Sequence, residues 1–175
     1  MTKPTGHEVF FDRDDLIVSK TNLKGHITYA NNTFLEVAGY TEAEVIGQPH
    51  NLIRHPDMPR CVFKLLWDTL QAGTEIFAYV VNLTKCGDHY WVLAHVTPSY
   101  DPSGGIIGYH STRRVPNAQT VQDIIVPLYR DLVEIEESHA SRKEGMEASF
   151  QKVLEILGEK NVPYDEFVAD LAKAA

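Results

Sequence analysis

Between Gln48 and Pro59 the chain sets two imidazoles, His50 and His55, a guanidinium, Arg54, and a carboxylate, Asp57, among Pro49, Pro56 and Pro59. A guanidinium forks onto phosphate or carboxylate oxygens, and each imidazole adds a donor or an acceptor. Proline fixes φ, so groups carried on such a segment have little backbone freedom to lose on binding. The segment reads as a ligand clamp, with a solvated charged turn as the plainer alternative. Asp57 has two roles open to it: orienting Arg54 or His55, or acting as N-cap of the helix that follows. No GxGxxG follows a strand and no GxxxxGK[ST] occurs, so a phosphate would have to be met by side chains.

The remaining chemistry is sparse. Cys61 and Cys86 are the only cysteines and form no CxxC, and the histidines lack HExxH spacing, so neither a disulfide framework nor a zinc site is expected. With no nucleophile elbow and no cysteine signature tied to a base, the chain reads as a receiver of chemistry, not an enzyme. A net charge of -8 argues against nucleic acid. No apolar run reaches the ~18 residues of a membrane span, and the polar, acidic start lacks a signal-peptide pattern, so a cytoplasmic location is expected. Residues 131–175 hold 11 acidic and 5 basic side chains against 13 and 11 in residues 1–130, which marks the tail as a separate object.

These groups need a frame. Leu16 to Thr21 and His26 to Ala30 read as strands around an Asn22–Gly25 turn. A helix carrying Phe34, Leu35 and Val37 should end at Gly39, and Thr41 to Glu44 has capping-box spacing. Val62, Phe63, Leu65, Leu66, Trp67 and Leu70 repeat near 3.6 residues, predicting a helix from Pro59 to Ala72. The period then falls to two over Ile76–Leu83, His89–Thr97 and Ile106–Arg113. The class is α+β: a five-stranded antiparallel sheet with short helices over one face, spanning residues 16–116 behind an N-terminal segment of residues 1–15. Over residues 117–175, Ile125, Leu128, Leu132, Ile135, His139, Arg142, Met146, Ser149, Val153 and Ile156 keep heptad spacing. His139, Arg142 and Ser149 are poor knobs, so a marginal coiled coil and a helix pair broken between Ser138 and Gly145 both fit. Gly158 should stop the second helix, and Pro163 should start a third.

The element order, with Ile27–Phe34, Gly39–Thr41, Gly47–Asn51, Arg54–Pro59 and Gly87–Val92, resembles the PAS sensor domain of bacterial aerotaxis and energy-taxis receptors over residues 16 to about 135. The resemblance implies a PAS fold, non-covalent FAD, and a redox signal passed through the C-terminal helices to a membrane-bound methyl-accepting chemotaxis transducer. If Ala175 is the natural end, it also implies a free-standing subunit of a bipartite system, while the heptad tail itself reads as a partner or homodimer surface, with a self-packed helical appendage as the plainer alternative. Arg54, His50, His55 and Asp57 would then meet FAD's phosphates or adenosine end. Trp67 would stack on a ring or stand in the core. Asn82 would meet the pyrimidine edge or serve the turn after it. Asn31 would bind FAD or cap a helix. Ile76-Phe77-Ala78-Tyr79 stands where the family often has a tryptophan and small residues entering a strand, which leaves ring stacking to Phe77, Tyr79 or Trp67. The asparagine-cysteine-arginine-phenylalanine run of photoactive relatives is absent, so light sensing is not implied. Two other readings stay open: haem, ligated by His50, His55, His89, His95 or His110, and a cofactor-free PAS adaptor.

Overall fold

The computed structural model describes residues 2–173. Strands β1 (Ile17–Asn22), β2 (Ile27–Ala30), β3 (Ile76–Leu83), β4 (His89–Tyr100) and β5 (Ile106–Arg114) form one antiparallel sheet ordered β2-β1-β5-β4-β3. The β2–β3 connection holds α1 (Asn32–Ala38), α2 (Glu42–Val45), a 3₁₀ turn over His50–Ile53 and α3 (Arg60–Gln71). This is the expected α+β arrangement.

Local chemistry sets the helix limits. The Asn31 side chain accepts from Phe34 N at the start of α1, and Gly39 closes that helix. Thr41 and Glu44 form the capping box of α2. The cap expected from Asp57 is not made: Pro59 is the N-cap residue of α3 and offers no side-chain acceptor. Asp57 lies largely in solvent, its backbone N–H donating to His55 Nδ1 at 3.1 Å. The orphan donor at the start of α3 is met from elsewhere, because Cys61 N donates to Glu136 Oε1 at 3.0 Å.

Directly opposed residues share a face of the sheet. Asn82 opposes Tyr90, Arg113 opposes Ala94 and Ile17, and Ser111 opposes Val96 and Ser19. These side chains face the short helices, as the contacts of Arg113 with Phe34 and of Tyr109 with Trp67 show. We call this the inner face. Phe77, Tyr79, Val81, Trp91, Leu93 and His95 take the opposite parity. Phe77 therefore stacks on His95, with ring centroids 4.1 Å apart, and Tyr79 sits under the C-terminal helices. Neither can wall the helix side, which corrects the ring-stacking role expected of both.

The tail runs through α4 (Ala118–Thr120) and a π-helical turn over Val121–Ile125 into α5 (Val126–Glu137), α6 (Arg142–Lys160) and α7 (Tyr164–Lys173). The helix breaks at Ser138–Ser141 and α6 folds back along α5, so of the two tail forms expected the broken pair is the one found. Its cause is visible at Gly145 and Ser149. A Cβ on Gly145 would run into the Glu136 carbonyl oxygen, and Ser149 is fully buried. The heptad residues Ile125 and Leu132 are buried inside the chain. Helix α6 passes through Gly158 and ends instead at Asn161, whose φ is 53°. At the front, Thr5 N, Val9 N and His89 N bond to Gly87 O, His89 O and His7 O, lashing the N-terminal segment to the β3–β4 turn. Among the described residues no helix is long and apolar enough to cross a membrane.

Candidate functional site

Arg113 lies at the centre of the inner face and is 3% exposed. Its Nη2 donates to Ser19 Oγ and to His50 Nε2, each at 2.7 Å. A guanidinium cannot accept, so His50 Nε2 is the bare nitrogen, and the Ser19 hydroxyl 3.2 Å away can donate to it as well. Burial first and the Arg113 charge second push the His50 pKa from 6.5 down to about 3. Burial also lowers Arg113 to about 10, and no carboxylate among the described residues pairs with it. Two bases and a hydroxyl therefore share one positive charge in the interior.

Five buried side-chain polar atoms have no hydrogen-bond partner among the described residues: Asn82 Nδ2, Tyr90 Oη, Ser111 Oγ, Arg113 Nη1 and Arg60 Nη1. The first four belong to the inner face of β3, β4 and β5. An orphaned buried donor or acceptor costs about 1–3 kcal/mol. Four such atoms on one face of one sheet make it the candidate ligand face, with Asn82 directly opposite Tyr90 and its amide acting on the Tyr90 hydroxyl. Asn82 and Arg113 can only donate through these atoms, whereas Ser111 and Tyr90 can donate or accept. Burial lifts the Tyr90 pKa to about 12, which keeps its proton in place.

The structure divides the residues expected to act together. His50 and Asn82 stand on the inner side with Arg113. Arg54 makes an isolated antiparallel bridge with Asn82, lies over the Phe63 ring at 4.3 Å and donates to Met58 O at 3.2 Å. Burial lowers its pKa, with Glu136 opposing the shift. The next residue, His55, points the other way: its ring centroid is 5.6 Å from that of His89 on β4. His55 and Asp57 help line a crevice of about 780 Å³ between the N-terminal segment, the outer face at Val81 and Trp91, and α5 at Tyr129 and Glu134. Trp67 meets Tyr109 edge-on at 5.3 Å and covers Gly25, at one end of the inner layer. Both polar atoms of Asn31 are taken by backbone: Oδ1 accepts from Phe34 N and Val18 N at 3.0 Å, and Nδ2 donates to Leu16 O at 2.7 Å. Asn31 thus serves as a helix cap and as a staple between β1 and the start of α1. Of the histidines considered for haem, His89, His95 and His110 take outer parity and His55 faces the outer crevice. His50 alone of them is inward, and its Nε2 already accepts from Arg113.

Arg113, Ser111, Ser19 and Tyr90 escaped sequence reasoning. Their signal was strand parity: Tyr109, Ser111 and Arg113 alternate along β5, and a charged residue in step with buried ones marks an inward polar group.

An antiparallel sheet with short helices over its inner face and the C-terminal helices packed on its outer face at β3 and β4 defines an α+β domain. Residues 27–113 match the family model of the PAS fold, and the chain carries a PAS domain. It is 44% identical over 119 residues to the aerotaxis receptor of Escherichia coli (strain K12), covering 68% of this chain and 23% of that protein. It is 27% identical over 103 residues to the nitrogen fixation regulatory protein of Klebsiella pneumoniae, covering 59% of this chain and 21% of that one. The chain thus spans less than a quarter of either relative. Among solved structures, a light-oxygen-voltage domain studied with a flavin analogue matches with a TM-score of 0.56 at 18% identity, over 66% of this chain and 87% of that one. The dark state of the Aureochrome1 LOV photoreceptor domain gives 0.54 at 22% identity, over 69% and 86%.

Proposed function

We propose that this PAS domain binds FAD and serves as a redox sensor for energy taxis, delivering its signal through the C-terminal helices to a chemotaxis transducer. The supporting observation is the set of four unpartnered polar atoms around Arg113. The uracil-like edge of an isoalloxazine carries several acceptors and one N–H donor. Asn82 Nδ2 and Arg113 Nη1 supply donors, and Ser111 or Tyr90 can take the remaining proton. The flavin, when bound, supplies reversible electron uptake. Arg113 then holds a fixed positive charge at the ring edge, and His50, kept neutral, adds no second one. Arg54, bridged to Asn82 at the edge of the inner face, is the candidate for the pyrophosphate, and FAD rather than the shorter mononucleotide is what the resemblance to aerotaxis sensor domains implies. Asn82 and Arg113 lie on strands, so a changed hydrogen bond there reaches α5 through Tyr129, whose hydroxyl donates to Tyr79 O at 2.6 Å.

The purified chain is examined for absorption near about 450 nm, then denatured and its released small molecule identified by mass. FAD supports the reading. A strong band near about 400 nm or a fully folded, colourless protein that takes up no added FAD overturns it.

A further inference from the structure

Glu136 joins three elements that are remote in sequence. It sits in the last turn of α5 and is 4% exposed. Its Oε1 accepts from Cys61 N at 3.0 Å, in the first turn of α3, and from Ser149 Oγ at 2.9 Å, on α6. Its Oε2 stands 3.7 Å from Arg60 Nε, and its charge acts on the Arg54 guanidinium. Helix α3 has no side-chain cap of its own, because Pro59 stands at its N-cap. A carboxylate at a helix N-terminus is favoured by the dipole as well as by the hydrogen bond. Here that carboxylate comes from the tail.

We propose that Glu136 is a positioning residue for the Arg54–Arg60 segment, a cap supplied in trans by the α5–α6 hairpin, so that docking of the hairpin and ligand occupancy of that segment are coupled. The ligand half of this statement rests on the FAD reading; the cap itself does not. Removing the carboxylate orphans Cys61 N, leaves Ser149 Oγ only the Met146 carbonyl at 2.9 Å, and leaves Arg60 and Arg54 without their shared counter-charge. Coupling is reciprocal: whatever fixes Arg54 tightens the hairpin, and releasing the hairpin loosens Arg54. The sheet is then not the only route from the site to the tail, since the motif's own helix is held by α5 and α6.

The full chain is compared with Glu136→Gln, Glu136→Leu and Ser149→Ala. Glutamine keeps the oxygen acceptor and drops the charge; leucine drops both; alanine tests the α6 arm while leaving the α3 cap. Amide hydrogen exchange is measured first without added flavin. The Cys61 amide should exchange at least about tenfold faster in Glu136→Leu, and Glu136→Gln should restore most of its protection. Protection of that amide in Glu136→Leu equal to wild type overturns the cap. FAD is then titrated into each protein. A loss of affinity of about fivefold or more in both Glu136 variants, with added FAD slowing exchange across α6 in the wild type, supports the coupling. Equal affinity in all variants with unchanged α6 exchange overturns it. If the wild type takes up no FAD, the flavin reading fails while the Cys61 exchange still decides the cap.

Discussion

Arg113 donates to His50 Nε2 across 2.7 Å, with the guanidinium buried, the imidazole partly buried, and no carboxylate among the described residues paired to either. The geometry makes the guanidinium the charged member and the imidazole the neutral one. Electrostatics and hydrogen bonding agree on that assignment, since a protonated His50 would have to point a second N–H at a donor that can accept nothing.

The pair sets an acid limit on stability. The folded-state pKa of His50, about 3, lies below its ordinary 6.5, so between those values the unfolded chain binds the proton that the folded one refuses. The contribution is complete above about pH 6.5 and is lost as pH falls, at about 1.4 kcal/mol per pH unit. Between pH 7 and 5 the wild type should lose about 2 kcal/mol more stability than His50→Gln. Denaturant titrations at both pH values measure this; parallel losses in the two proteins refute it.

Arg113 holds a charge that no carboxylate among the described residues neutralises, so under the proposed function it works against the fold and for the ligand. Arg113→Met should unfold no more easily than wild type without cofactor, and gain up to about 2 kcal/mol, because burying an uncompensated charge is unfavourable. The same variant should retain about tenfold less flavin. Thermal melts and flavin titration together check this. A marked fall in cofactor-free stability would show that Arg113 is structural.

Asn82 makes the complementary case. Its Nδ2 is buried and orphaned, so Asn82→Leu removes an unsatisfied donor at similar volume and should leave cofactor-free stability within about 1 kcal/mol of wild type. Flavin affinity should fall about tenfold. If Asn82→Ala bound FAD as wild type does, and reduction still altered α5 exchange as in wild type, the relay through Asn82 would be wrong.

The sheet, its hairpins and the capped short helices were legible because local patterns decide them: period two in β3 to β5, the Thr41–Glu44 box, and Gly39 at the end of α1. The Asp57 cap misled because an acceptor two residues before a proline looks local, whereas the true partner, Glu136, lies 75 residues downstream of Cys61. No spacing rule reaches that far. The clamp segment was found as a unit but not as a divided one. Arg54 bridges Asn82, and from there side chains alternate, sending His55 to the outer crevice. The tail's heptads were real, yet the small Gly145 and Ser149, seen as defects in a coiled coil, are what let α6 fold onto α5.

The N-terminal segment should close the crevice end of the site through one glycine. Gly87 has a φ of 101°, and a Cβ there would run into the Lys3 carbonyl oxygen, with the methyls of Thr2 and Thr5 at 3.3 Å. Two costs coincide, a left-handed backbone that L side chains rarely adopt and a collision with backbone. Gly87→Ala should therefore detach residues 2–9 from the β3–β4 turn, exposing the bonds from Thr5 N to Gly87 O and from His89 N to His7 O. The sheet core, held by β4 and β5, should stay folded. Exchange at Thr5 and His89 should rise by about tenfold or more while amides of β5 remain protected, and a protease should cut first within residues 2–15. An exchange pattern identical to wild type would mean that the segment is held by something other than its seat on Gly87.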